Sequence, residues 1–438
     1  MDTITHLTKS REPMGPVKSV SAVLFCISAS ISSISMADYS INTSLGVEST
    51  DNANQSGTEV RETSINAALN ATGKTQSTNV DADFGYSLTV DRYLKDTFDD
   101  RENMEGSGYL VFHNNRRTLS WFFSDIEELA LQDRSRADTP DNRVQRSIIS
   151  TGPQLSFTVT SVDSVSVGAT YSKTNVDAED SNNNERVAAN IEWAHQISTT
   201  ASFGMSAFMS DVTFDEGGDY ESVGYSFNGN LRAPWGAVSV SAGQSESKPE
   251  VGGSSDSMTY RTSYAAPFPK LAFSIYAVKA LTDGVSGISP LQFDIENLAS
   301  TDSNITNSSI IESQSFGSSI GYPFESINAS VSASLTYSEE DFVETDQQDS
   351  SQTASINFAK SITTQWSMTL GYSVKQFDSE LENVQSESEE QSLSIGTGYR
   401  ASDDLSFSAS ISHSRRDDEL TKETGKTSGS VRVTYRLR

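Results

Sequence analysis

Cysteine is nearly missing from this chain: the single one, Cys26, falls within the first 37 residues. The remainder therefore has no thiol nucleophile, no cysteine metal ligand and no disulfide, which suits a chain that threads through an oxidising compartment. Histidine is scarce as well, with four in 438 residues. His113, His195 and His413 show no pattern of serine nucleophile, base and orienting acid, so no enzymatic activity is expected and no catalytic residue is assigned. Basic residues are outnumbered 31 to 59 by acidic ones. That balance argues against nucleic acid as a partner, because phosphate binding needs a basic surface. Beyond residue 37 no apolar run approaches the ~20 residues of a spanning helix.

What the first 37 residues do contain is a positive front at Lys9, Arg11 and Lys18, an apolar centre from Val20 to Ile27, and the small-x-small exit Ser35-Met36-Ala37. These are the parts of a secretory signal, so the mature chain is expected to begin at Asp38. Met14 is an equally good start. A lipoprotein cut before Cys26 is disfavoured by Phe25, since that cut wants a small residue there.

After the signal, apolar and polar residues alternate over unusual lengths. Val80, Ala82, Phe84, Tyr86, Leu88 and Val90 interleave with Asp81, Asp83, Gly85, Ser87, Thr89 and Asp91; Ile327 to Ser338, Leu405 to Ile411 and Val431 to Leu437 repeat the rule. Successive strand side chains face opposite sides, so each segment has one apolar and one polar face. Such strands exceed the five or so residues common in globular proteins and match the ~9–11 that cross a membrane on a tilt. Short connections such as Gly73 to Gln76, Ala233 to Gly236 and Thr363 to Gln365 alternate with acidic stretches such as Asp96 to Glu105, Asp177 to Glu185, Asp378 to Glu390 and Arg415 to Lys426. Trp235, Phe268, Tyr322, Phe324 and Trp366 lie at or beside the short ones. All this predicts a transmembrane antiparallel β-barrel of about twenty strands over 38–438, with short periplasmic turns and long acidic extracellular loops, in the outer membrane. A first strand at about Tyr39 leaves no room for a plug or a signalling domain.

The polar faces carry charge of both signs, and Arg61, Asp81, Asp83, Glu192, Arg232, Arg261 and Arg400 are candidates to line the lumen, where they select solutes or pair with one another. Asp177, Glu179 and Asp180 lie close together but lack the glycine and distal glutamate of a calcium loop. No cofactor and no dedicated metal site are expected; loose cation bridging to lipopolysaccharide suits the acidic loops. The longest connection, about Leu281 to Asn307, differs from the others in being apolar. Ser289-Pro290 is a helix start, and Leu291, Phe293, Ile295 and Leu298 are candidates for a segment folded into the mouth that narrows it.

The first hairpin reads Ser44-Leu45-Gly46-Val47-Glu48-Ser49-Thr50-Asp51-Asn52-Ala53-Asn54. This Thr-Asp-Asn turn after an amphipathic strand resembles the opening of the PEP-CTERM/exosortase-system-associated outer-membrane barrels, often encoded beside exopolysaccharide genes. The resemblance implies a part in exopolysaccharide or surface-protein export. Two functions are therefore expected as alternatives: a channel for polysaccharide or other hydrophilic solutes, and a non-conducting scaffold or adhesin whose acidic loops bind partners. Either would be inserted by the barrel assembly machinery among outer-membrane lipid and lipopolysaccharide.

Overall fold

The computed structural model describes residues 38–437 apart from 134, 179–182, 216–217, 251–252, 269, 284–309, 344, 346, 382–383 and 419–422. The signal, the pair Glu179 and Asp180, and the candidates Leu291, Phe293, Ile295 and Leu298 lie outside the described residues.

Twenty strands follow one another: β1 (Asp38–Thr50), β2 (Glu62–Gln76), β3 (Val80–Tyr93), β4 (Arg101–His113), β5 (Leu119–Leu131), β6 (Arg143–Thr158), β7 (Asp163–Val176), β8 (Asn184–Ser198), β9 (Ala201–Phe214) and β10 (Tyr220–Ala233). The second half continues with β11 (Gly236–Pro249), β12 (Ser255–Phe268), β13 (Leu271–Asp283), β14 (Ile310–Phe324), β15 (Ala329–Phe342), β16 (Gln347–Ser361), β17 (Trp366–Leu381), β18 (Val384–Arg400), β19 (Leu405–Asp418) and β20 (Thr424–Arg436). Each pairs antiparallel with the next, and β20 returns to β1 with Leu45 opposite Val433. The sheet is closed. At the rim the Thr-Asp-Asn turn fastens this closure. Thr427 N donates to Asp51 Oδ1 at 2.7 Å and Asn52 Nδ2 donates to the Gly425 carbonyl at 3.0 Å.

Alternation sets the two faces. Leu69 and Leu88, opposite each other on β2 and β3, are exposed outward, as are Met209 on β9 and Ile411 on β19. Serines fill the inner face and bond across strands: Ser334 with Ser355, Ser373 with Ser392, and Ser410 with Ser430, each at 2.8 Å. These pairs satisfy hydroxyls along the wall without charge. Near the short turns, rings contact one another on the outer face, Trp366 with Tyr399 at 4.7 Å and Trp193 with Phe203 at 5.2 Å between centroids. An aromatic girdle of this kind marks one edge of an apolar band that meets lipid. The chain is an outer-membrane β-barrel.

Much of the acidic sequence expected as loop is strand. Within Asp378–Glu390 the pairing of β17 with β18 runs up to Leu381 opposite Val384, and β19 reaches Asp418. Above the membrane, water tolerates carboxylates on the outer face, so nothing stops the ladder where the apolar band ends.

Leu88→Arg on the outer face is expected to lower the folding free energy by about 2 kcal/mol, while Thr89→Arg on the inner face changes it little. Denaturant titration in lipid vesicles measures both; equal costs would mean that the faces are assigned wrongly.

Candidate functional site

With the short turns on the periplasmic side, two seams open the wall in its extracellular half among the described residues. Pairing of β4 with β5 stops at Gly106 opposite Glu127, leaving 101–105 without a β5 partner. Side chains span this seam: Gln145 accepts from Met104 N at 3.3 Å and donates to Met104 O at 2.7 Å, and Arg101 donates to the carbonyls of Pro140 and Arg143. Gly106 stands at its foot with φ +142°, where a Cβ would lie 2.1 Å from Gly85 O. Likewise β12 and β13 pair only up to Tyr260 opposite Lys279.

Beside both seams the chain turns inward. Leu281 of β13 and Ile310 of β14 pack with Val144, Val176, Val212, Phe214 and Tyr220 of β6, β7, β9 and β10. Ser257, on the inner face of β12, donates to Glu312 of β14 at 2.5 Å, and Lys279 pairs with the same carboxylate. The tip of the β13–β14 hairpin therefore leans on the inner surface of the neighbouring wall. There it buries the inward hydroxyls of Ser222, Ser247 and Thr259. These tips flank the apolar segment singled out in the sequence.

The second in-turned piece is the connection between β5 and β6. Fully buried Asn142 holds its shape, donating to the carbonyls of Asp133 and Ala137 and accepting from Asp133 N. Arg143 grips Asp138 through two bonds of 2.6 and 2.7 Å. Arg416, buried on the inner face of β19, donates to the Ser135 carbonyl, so the connection reaches across the bore to the wall near the chain's end. Burial pushes the Asp138 carboxyl up. The Arg143 hydrogen bonds and charge, with Lys426 and Lys375 of β20 and β17, more than offset this and hold it below the ordinary aspartate range.

That far wall is basic. By alternation the inner faces of β17–β20 present Lys375, Arg400, Arg416, Lys426, Arg432 and Arg436 against only Glu390 and Asp418. In a chain with nearly twice as many acidic as basic residues, this is a local reversal of sign. Many of the acids instead face outward at the rim, among them Glu339, Asp341, Glu387 and Glu389.

Of the residues picked from sequence, Asp81, Asp83, Glu192, Arg232, Arg261 and Arg400 share the inward parity but sit at different heights. At the periplasmic end Asp83 pairs with Lys74 at 2.8 Å, and Asp81 with Arg117 at 3.1 Å and His113 at 3.0 Å. Arg61 is corrected: it precedes β2, exposed in the β1–β2 connection. The strand starts only at Glu62, whose carboxylate is taken up by the amides of Thr63, Lys95 and Thr97. His195 lies outside, bonded to Asp163 at 2.8 Å beside Trp193 and Phe203, as a girdle residue.

No family model and no curated protein matches the chain. Among solved structures it is similar to OccK2 (OpdF) of Pseudomonas aeruginosa in complex with glucuronate (12% identity, 92% of this chain and 99% of that one, TM-score 0.42). It is similar as well to the outer membrane protein OpdK of the same organism (10%, 92% and 99%, 0.42) and to the FrpB iron transporter of Neisseria meningitidis (7%, 92% and 82%, 0.45). The functional reading rests on this chain's own interior.

Arg416→Ala should release the β5–β6 connection from the far wall. Trypsin is then expected to cut after Arg136 several-fold faster in the folded barrel; an unchanged rate would mean that the Arg416–Ser135 bond does not hold it.

Proposed function

We propose that the barrel is a passive channel for hydrophilic solutes, and that it favours anionic ones. The observation that carries this is the basic inner wall of β17–β20, where Lys375, Arg416 and Lys426 act on the in-turned β5–β6 connection while Arg400 and Arg436 stand at the periplasmic end. Cations on a narrow, low-dielectric wall raise the local concentration of anions and exclude cations. The resemblance of the first hairpin to barrels encoded beside exopolysaccharide genes supports a polysaccharide as cargo, and the basic wall favours an acidic one. Export by the signal over 1–37, and insertion by the barrel assembly machinery next to lipopolysaccharide, go with this reading. The apolar packing of the β13–β14 tip in the mouth favours the second reading, a non-conducting scaffold.

Planar bilayers under a salt gradient separate the two. Stepwise conductance with an anion-selective reversal potential is expected, moving toward cation selectivity in Lys426→Glu/Arg432→Glu. A correctly inserted but silent barrel would overturn the channel and leave the scaffold.

The Asp138–Arg143 clasp adds a pH test. Because the folded-state carboxyl lies below its ordinary value of 3.8, the contribution of the clasp is complete above that pH and is lost as pH falls through the lower folded value. Current traces are therefore expected to stay quiet from pH 7 down to about 4 and to flicker only in stronger acid. Flicker beginning near pH 5 would show the clasp to be absent.

A further inference from the structure

On the outer face of β5, exposed Trp121 and Phe123 are followed at the same parity by Asp125 and Glu127, which are only 8% and 5% exposed. Asp125 accepts a hydrogen bond from the Tyr86 hydroxyl at 2.8 Å through Oδ2, while its buried Oδ1 has no hydrogen-bond partner. Glu127 accepts from Gln145 Nε2 at 3.0 Å and from Ser147. Each carboxylate acts electrostatically on hydroxyls, an amide or the other acid, and among the described residues no lysine, arginine or histidine acts on either. Buried carboxylates without a counter-charge must take up a proton or coordinate a metal.

Two features favour the metal. Opposite the acids β4 carries Gly108 and Gly106, over which Tyr86 of β3 lies, its hydroxyl 2.7 Å from where a Gly108 Cβ would stand, and the seam between β4 and β5 opens directly above Glu127. The height is also right. Asp125 faces Ile149 of β6, the last apolar residue before Ser147 and Gln145, and on β7 the outer face passes from Tyr171 to Lys173. The acids thus stand where the apolar band meets the charged head groups of the outer leaflet, in reach of external cations.

We propose that Asp125 and Glu127 hold a hard divalent cation of the calcium type at the foot of the β4–β5 seam. Asp125 Oδ1 supplies the free ligand, Glu127 the second carboxylate and Ser147 a nearby hydroxyl, with water completing the shell. The cation would tie β4 to β5 where backbone pairing ends. This does not depend on the channel reading.

Terbium stands in for calcium and is excited through nearby tyrosine, here Tyr86. The folded full-length barrel in detergent should give terbium luminescence that calcium competes away, and calcium should delay heat unfolding on a gel in a way that a chelator reverses. Asp125→Asn/Glu127→Gln is expected to weaken the calcium-competed signal at least about tenfold, whereas Glu387→Gln/Glu389→Gln at the rim leaves it intact. If the double variant does not fold, Tyr86→Phe serves: luminescence should fall while the heat protection by calcium remains. Equal titrations of wild type and double variant, or no calcium protection of wild type, would overturn the site and assign the pair a proton.

Discussion

Every peptide N–H and C=O that faces lipid must be bonded within the protein, because hydrocarbon offers no partner and each orphan group costs several kcal/mol. Closure of β20 on β1 meets that demand around the wall, and the short irregularities within it are at Gly152 and Pro153 of β6, where proline has no N–H to leave unbonded, and between Gln196 and Ser198 of β8. The longer openings of the ladder, above Gly106 and above Tyr260, both lie in the extracellular half, where water or side chains can serve instead. Gln145 and Arg101 supply such side-chain bonds at the first break. Freed from lateral pairing, the adjoining strand ends can turn inward, and this is how the mouth is narrowed.

The same constraint sorts the charge. Lipid forbids ionised groups on the outer face of the band, so carboxylates there are confined to the rim or buried, as Asp125 and Glu127 are. Inside, serine pairs give a polar lining that needs no counter-ion, which leaves the few inward cations of β17–β20 free to set the sign of the bore. Where an inward cation is deeply buried it is bound: Arg146 pairs with Glu128 and Arg416 with Asp418. Lys375 and Lys426 act on the in-turned connection through their charge, which helps to keep Asp138 ionised.

The barrel was legible from alternation alone, because a period of two assigns every side chain to a face before any contact is known. Strand number followed from the short connections. Height did not: parity puts Asp81, Arg261 and Arg400 on one surface but not at one level. Arg61 was misread because it stands one residue before the ladder begins at Glu62 and, counted back from outward Ile65, does not share the inward parity. The inward reach of the β5–β6 connection had no local signal either, since its fate depends on Arg416, almost three hundred positions away in sequence. Composition pointed to the apolar segment after Leu281, and the structure adds that its flanks, Leu281 and Ile310, are buried in the mouth.

The central claim is that the β5–β6 connection crosses the bore to the basic wall. The chain after residue 37 has no native cysteine, so Asp138→Cys/Lys426→Cys gives a unique pair. A short bis-thiol reagent should join the two within one folded chain and reduce the current through single barrels, with neither effect in the single variants. Failure to cross-link in a folded barrel would place the connection outside the bore and contradict the account.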